Sequence, residues 1–152
     1  MTGTTPVRGY VSGVFDMFHV GHLNIVQGAR RQCDYLIAGV VTDDVVLRAK
    51  GKEPIIPLEE RMAIVAALRG VDEVVIDRHV DKFETWRELR YDVIFKGDDW
   101  RDTRRGRLLE TELAEVGARI EYLPYTQHTS STKLRELVDR ALAGPRLGTV
   151  SA

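Results

Sequence analysis

The sequence is short of several things, and each shortage removes a class of function. It holds one cysteine, Cys33, in 152 residues. That excludes a disulfide framework and a thiolate metal cluster, and leaves Cys33 to read as a small half-buried thiol at the end of a helical pattern. No apolar run approaches the roughly 18 residues that a membrane span needs. The first six residues are polar and lack the apolar stretch of a signal peptide, so the chain is expected in the cytoplasm, with no membrane partner. An excess of one charge sign is missing too: 22 Lys and Arg stand against 23 Asp and Glu, a formal net charge of -1. A nucleic-acid partner is therefore not expected, and any phosphate site has to be local. Internal repeats and low-complexity linkers are absent as well.

What is present is an ordinary globular balance, 43% apolar and 30% charged, in a length that suits one domain. Short apolar strands alternate with amphipathic helical stretches. Strands are expected at 7–13, 35–41, 72–76, 92–95 and 119–123, and helices at 22–32, 58–69, 81–90, 107–116 and 131–142. The run at 35–41, YLIAGVV, is apolar throughout, as in a strand buried on both faces. The order implies a doubly wound, Rossmann-like α/β domain, a parallel sheet of about five strands with helices on both faces. Its expected extent is 1–143, with 144–152 as a C-terminal tail after the Gly144-Pro145 break.

Ligands of such sheets bind beyond the carboxyl ends of the strands, which singles out 13–22, 42–52, 96–100 and 124–133. In the first, His19 and His22 stand three apart at a helix start, so both rings reach one side. Gly21 between them lacks a Cβ, which lets an anion approach the helix's amides. Two imidazole donors suit a phosphoryl group gaining charge. Zinc would need a third ligand, and none is evident. The second segment, with Arg48, Lys50, Gly51 and Lys52, reads as a mobile cationic loop, or simply a solvated one. Arg61 opens the next helix and could equally be a surface partner of Glu59 or Glu60. Asp98 and Asp99 follow a strand, where paired carboxylates hold Mg²⁺ or order a loop. Ser130, Ser131 and Thr132 cap a helix, or cradle a phosphate with its amides.

Gly13-Val14-Phe15-Asp16 followed by His19-Val20-Gly21-His22 resembles the signature of the HxGH nucleotidyltransferases. Lys50-Gly51, Glu60-Arg61, Gly97 to Trp100 and Ser130 to Lys133 follow in the order of the cytidylyltransferase family. The similarity spans about 10–137 and is nearest to bacterial members that use glycerol 3-phosphate. It implies that His19, His22, Lys50 and Arg61 are catalytic. Val14, Phe15, Asp16, Gly21, Gly97, Asp99, Trp100, Thr126, Ser130, Ser131, Thr132 and Lys133 would bind the nucleotide, Trp100 bordering the base. Asp43 and Lys52 would bind the acceptor. CTP and a small phosphorylated alcohol would give a CDP-alcohol and pyrophosphate, with Mg²⁺ carried mainly by the triphosphate and no protein ligand assigned to it. A homodimer is implied. An ATP-using adenylyltransferase for a sugar phosphate or flavin mononucleotide, or a nucleotide-binding module without turnover, are the alternatives.

Two departures from the family pattern stand out. Tyr125 stands where an arginine is usual, and His128-Thr129 replaces Gly-Ile. Lys133 and the 130–132 turn, helped by His128, are expected to take over the arginine's role. Lys133 and Arg135 are two apart and cannot share a helix face.

Overall fold

In the computed structural model, which describes residues 3–126 and 128–144, strands and helices alternate as the sequence pattern implies. They are β1 (Arg8–Gly13), α1 (Val20–Arg30), β2 (Tyr35–Val41), α2 (Asp43–Lys50), α3 (Leu58–Ala66), β3 (Glu73–Asp77), α4 (Lys82–Leu89), β4 (Val93–Gly97), α5 (Arg104–Glu115), β5 (Arg119–Leu123) and α6 (Ser131–Ala143). A 3-10 turn, Asp98–Trp100, follows β4. Five strands form one parallel sheet in the order β3-β2-β1-β4-β5. This is the doubly wound architecture. The winding reverses between β1 and β4, where Val11 of β1 lies opposite Ala38 on one side and Phe95 on the other. A crevice opens at such a reversal.

Two apolar layers enclose the sheet. Val11, Val26, Leu36, Ala38, Val65 and Phe95 pack on the face covered by α1 and α3. Tyr10, Ile37, Tyr91, Ile94, Leu109 and Leu113 pack on the face of α4 and α5. Because strand side chains alternate, Ile94 and Lys96 share this second face. The close approach of β1 and β2 requires Gly39, where a Cβ would lie 2.0 Å from the Tyr10 hydroxyl oxygen.

One segment differs from expectation. Residues 43–50, read as a mobile loop, form α2. The reason is local: Asp43 and Asp44 sit in the first turn where the dipole favours them, Val45 and Val46 are buried, and Gly51 at φ 72° ends the helix. Cys33 follows α1, half-buried, its thiol donating to the Ala29 carbonyl at 3.4 Å while burial raises its pKa. The expected tail beyond Gly144 lies outside the described residues. Among the described residues no helix is long and apolar enough to cross a membrane.

Candidate active site

The loop from β1 to α1 carries the histidines and is backbone-strained. Phe15 and Met17 adopt left-handed φ of 54° and 47°, a conformation that costs an L-residue about 1 kcal/mol or more. The loop is held by three ties. The two Asp16 carboxylate oxygens accept from the amides of Ile55 and Ile56, each at 2.9 Å. The Asp16 carbonyl accepts from the Ser131 hydroxyl at 2.7 Å. Phe15 is buried and meets the His22 ring edge-on at 5.5 Å.

The histidines cap α1 with each other's help. The His19 Nδ1 accepts from the Gly21 amide at 3.0 Å, and the His22 Nδ1 accepts from the His19 amide at 3.2 Å. With Nδ1 an acceptor in both rings, the hydrogen-bond pattern assigns the proton of each neutral imidazole to Nε2. Desolvation lowers both pKa values, that of His22 to about 4, with the charges of His19 and Lys50 acting in the same direction and Asp16 opposing. Near neutral pH the site therefore presents two uncharged Nε2–H donors, rings 4.0 Å apart. The His19 Nε2 lies 3.4 Å from the Ser131 hydroxyl. The space a Cβ would take at Gly21 is filled by the His19 ring, 2.7 Å away, so the capping fold of His19 requires glycine here.

A cavity of about 420 Å³ opens beside this pair. Its walls include Gly13, Val14, Asp16, His22, Lys50, Lys52, Ser131, Thr132 and Arg135. Thus the β1 loop, the end of α2 and the start of α6, distant in sequence, are brought together. Ser130 caps α6, accepting from the Lys133 amide at 3.2 Å. Thr126 accepts from the Asn24 side chain at 3.0 Å, fastening its turn to α1.

Arg61 is placed behind the cavity rather than in its wall. It is fully buried, and its guanidinium donates to the carbonyls of Ile56, Val14 and Val41 at 2.8, 2.6 and 2.9 Å and to the Asp43 carboxylate. It is a positioning residue, joining the β1 loop, the end of β2 and the start of α2, and it occupies the carboxylate of Asp43. Of the two basic residues on α6, Arg135 lines the cavity. It donates to the Glu53 carbonyl, and its buried Nε has no partner among the described residues. Lys133 is exposed, with Nζ 3.5 Å from the His128 carbonyl. Tyr125 is 47% exposed, and its amide donates to Asp98 at 3.1 Å.

A second cavity, about 270 Å³, shares Gly13, Val14, Val46 and Lys50 with the first and runs to the α4–α5 face. Trp100 stands here, as does Lys96, its ammonium 4.1 Å from the Trp100 ring centre; Asp99 and Gly97 line neither cavity. His79, Lys82 and Arg105, which complete this wall, fall outside the segments the sequence pattern singles out, whereas Lys96 opens the segment 96–100. Nothing in a lysine in the first turn of a helix marks it as inward-facing.

Comparison with known proteins agrees with this geometry. Residues 10–137 match the cytidylyltransferase-like family. The FAD synthase of Pyrococcus abyssi is 35% identical over 143 residues, 92% of this chain and 95% of that protein. The ethanolamine-phosphate cytidylyltransferase of Arabidopsis thaliana is 42% identical over 99 residues, 62% of this chain and 23% of that one. A lipopolysaccharide core biosynthesis protein from Thermoplasma volcanium superposes with a TM-score of 0.68 at 25% identity, over 82% of this chain and 100% of that structure. The chain belongs to the cytidylyltransferase-like family of the HxGH nucleotidyltransferases. It is an enzyme of nucleotidyl transfer, and its family binds a nucleoside triphosphate and a phosphorylated substrate.

Proposed function

We propose that the protein joins CTP to a small phosphorylated alcohol, glycerol 3-phosphate in the first instance, giving a CDP-alcohol and pyrophosphate. The observation that carries this reading is the meeting of two cavities at Lys50. The first offers His22, with His19 beside it, and the hydroxyls of α6 to a triphosphate; the second offers cations to a second phosphorylated molecule. An acceptor phosphate oxygen attacks the α-phosphorus, the new P–O bond forms, and the bond to the leaving pyrophosphate breaks in line. No covalent enzyme intermediate is required. Catalysis is positioning and charge stabilisation. His19 and His22 donate to oxygens that gain charge, Lys50 bridges the reacting phosphates, and Ser131, Thr132 and Arg135 receive the pyrophosphate end. Arg135 thereby stands in for the arginine that position 125 lacks.

The family generally uses divalent metal ions. Among the described residues no three His, Cys, Asp or Glu side chains converge. In this reading a Mg²⁺ ion would be carried mainly by the triphosphate's oxygens and water, ligands it tends to keep, and would supply charge neutralisation. CTP is favoured by the likeness of the Gly97 to Trp100 segment to the cytidylyltransferases, and a homodimer belongs to the same reading. The whole-length similarity to an FAD synthase favours a second reading, adenylyl transfer from ATP. A pyrophosphate-release assay crossing CTP and ATP with glycerol 3-phosphate, ethanolamine phosphate, a sugar phosphate and flavin mononucleotide tests both. Release with CTP and glycerol 3-phosphate supports the first reading; release only with ATP and a flavin overturns it.

A further inference from the structure

The second cavity is unusual in the sign of its wall. Lys50, His79, Lys82, Lys96 and Arg105 line it together with Ser12, Trp100 and a set of valines, and among the described residues no Asp or Glu does. The nearest buried carboxylate is already saturated. Asp77 accepts from Tyr10, Ser12 and the Lys82 ammonium at 2.6, 2.8 and 2.7 Å, and from the His79 amide and Thr85 at 3.1 and 3.3 Å. Lys82 spends a second hydrogen bond on the His79 carbonyl at 2.6 Å. The carboxylates Asp81 and Glu112 line a separate hollow that shares Lys82, Trp100 and Arg105 with this one.

Lys96 is the exception among these cations. It is 7% exposed, makes no hydrogen bond or ion pair among the described residues, and sets its ammonium over the face of Trp100. Desolvation and the charge of Lys82 lower its pKa to about 7, against weaker opposing effects of Asp77 and Asp99. A buried ammonium without a counter-charge is costly, and an anion entering the cavity would relieve it. Lysine and arginine only donate, so the ligand has to present acceptor oxygens. The volume, about 270 Å³, admits a phosphorylated polyol. Val14, Val41, Val45, Val46 and Val80 offer apolar contact to a carbon chain.

We propose that this cavity seats the acceptor, and that Lys96 with Arg105 selects a small phosphate ester whose other groups are hydroxyls or carboxylates, excluding amine-bearing esters such as ethanolamine phosphate and choline phosphate. This rests on the nucleotidyl-transfer reading for its role, but the binding preference stands apart from turnover. An ammonium substituent would enter a wall of like charge that, among the described residues, no carboxylate lines.

Calorimetric titration of the nucleotide-free protein with glycerol 3-phosphate and with ethanolamine phosphate tests it. The expected result is at least tenfold tighter binding of glycerol 3-phosphate, a preference lost in Lys96→Met and reduced in the exposed-site variant Arg105→Ala, with Lys96→Arg restoring part of it. Lys96→Met should fold at least as stably as the parent, because it removes an unpaired buried charge. In turnover the same variant should raise the acceptor KM tenfold or more while the CTP KM stays within threefold. Equal or tighter binding of ethanolamine phosphate, no binding of either ester, or an unchanged preference in both Lys96→Met and Arg105→Ala overturns the assignment. An intact binding preference without pyrophosphate release under any nucleotide sinks the transfer reading instead and leaves the pocket standing.

Discussion

His22 gives a prediction that separates its place in the fold from its place in chemistry. Its pKa is lowered to about 4 from 6.5, chiefly by desolvation, so the folded protein resists its protonation while the unfolded chain does not. Between pH 6.5 and 4 the unfolded state binds more protons, and stability must fall with pH. The contribution is fully present above the unfolded value. It amounts to a loss of about 2 kcal/mol by pH 5 and about 3 kcal/mol by pH 4, a large part of a stability of about 5–15 kcal/mol. The perturbation is His22→Gln. Glutamine at this third helical position reaches back to the amide of the capping residue as the imidazole does, but does not titrate. Urea unfolding of both proteins at pH 7, 6, 5 and 4 provides the assay, and shared carboxylate effects cancel in the difference. The variant should gain on the parent as pH falls, by about 3 kcal/mol over the range. A difference that is flat with pH, or that moves in favour of the parent, would refute the claim that His22 is held neutral by its surroundings.

Arg61→Ala should cost about 3–5 kcal/mol in urea unfolding, because it strands the Asp43 charge and three carbonyls; a loss below 1 kcal/mol would show that the guanidinium does not organise the loops. His19→Ala, by contrast, should lower kcat roughly a hundredfold while costing only about 1 kcal/mol of stability as a lost cap, and near-normal turnover would reject its donor role. For the altered family position, Arg135→Ala should reduce kcat/KM for the nucleotide by roughly tenfold or more and Tyr125→Phe should be silent; the reverse pattern would return the task to the tyrosine.

The fold was legible because its signals are local and repeated. YLIAGVV reads as a strand covered on both faces, and five short strand patterns separated by amphipathic stretches leave few topologies other than a doubly wound sheet. The histidine pair was legible because its spacing and its glycine sit in one short segment. At α2 the local signals were also in the sequence: Asp43 and Asp44 at the start and Gly51 at the end are ordinary helix punctuation.

Other features depend on partners far away in the chain. Arg61 looks in sequence like any helix-surface arginine beside glutamates. Only the convergence of the β1 loop, the end of β2 and the start of α2 supplies the three carbonyls and the carboxylate that bury it. Trp100 and Lys96 follow the same rule, since the alternation of β4 decides which face Lys96 takes, and the packing of α4 and α5 on that face decides what surrounds it. The sequence by itself determined the order of elements and the residues able to carry charge to a phosphate. The tertiary structure decided which of those charges are satisfied within the protein and which, as at Lys96, are left for a ligand, because burial and pairing are properties of contacts between segments rather than of any segment alone.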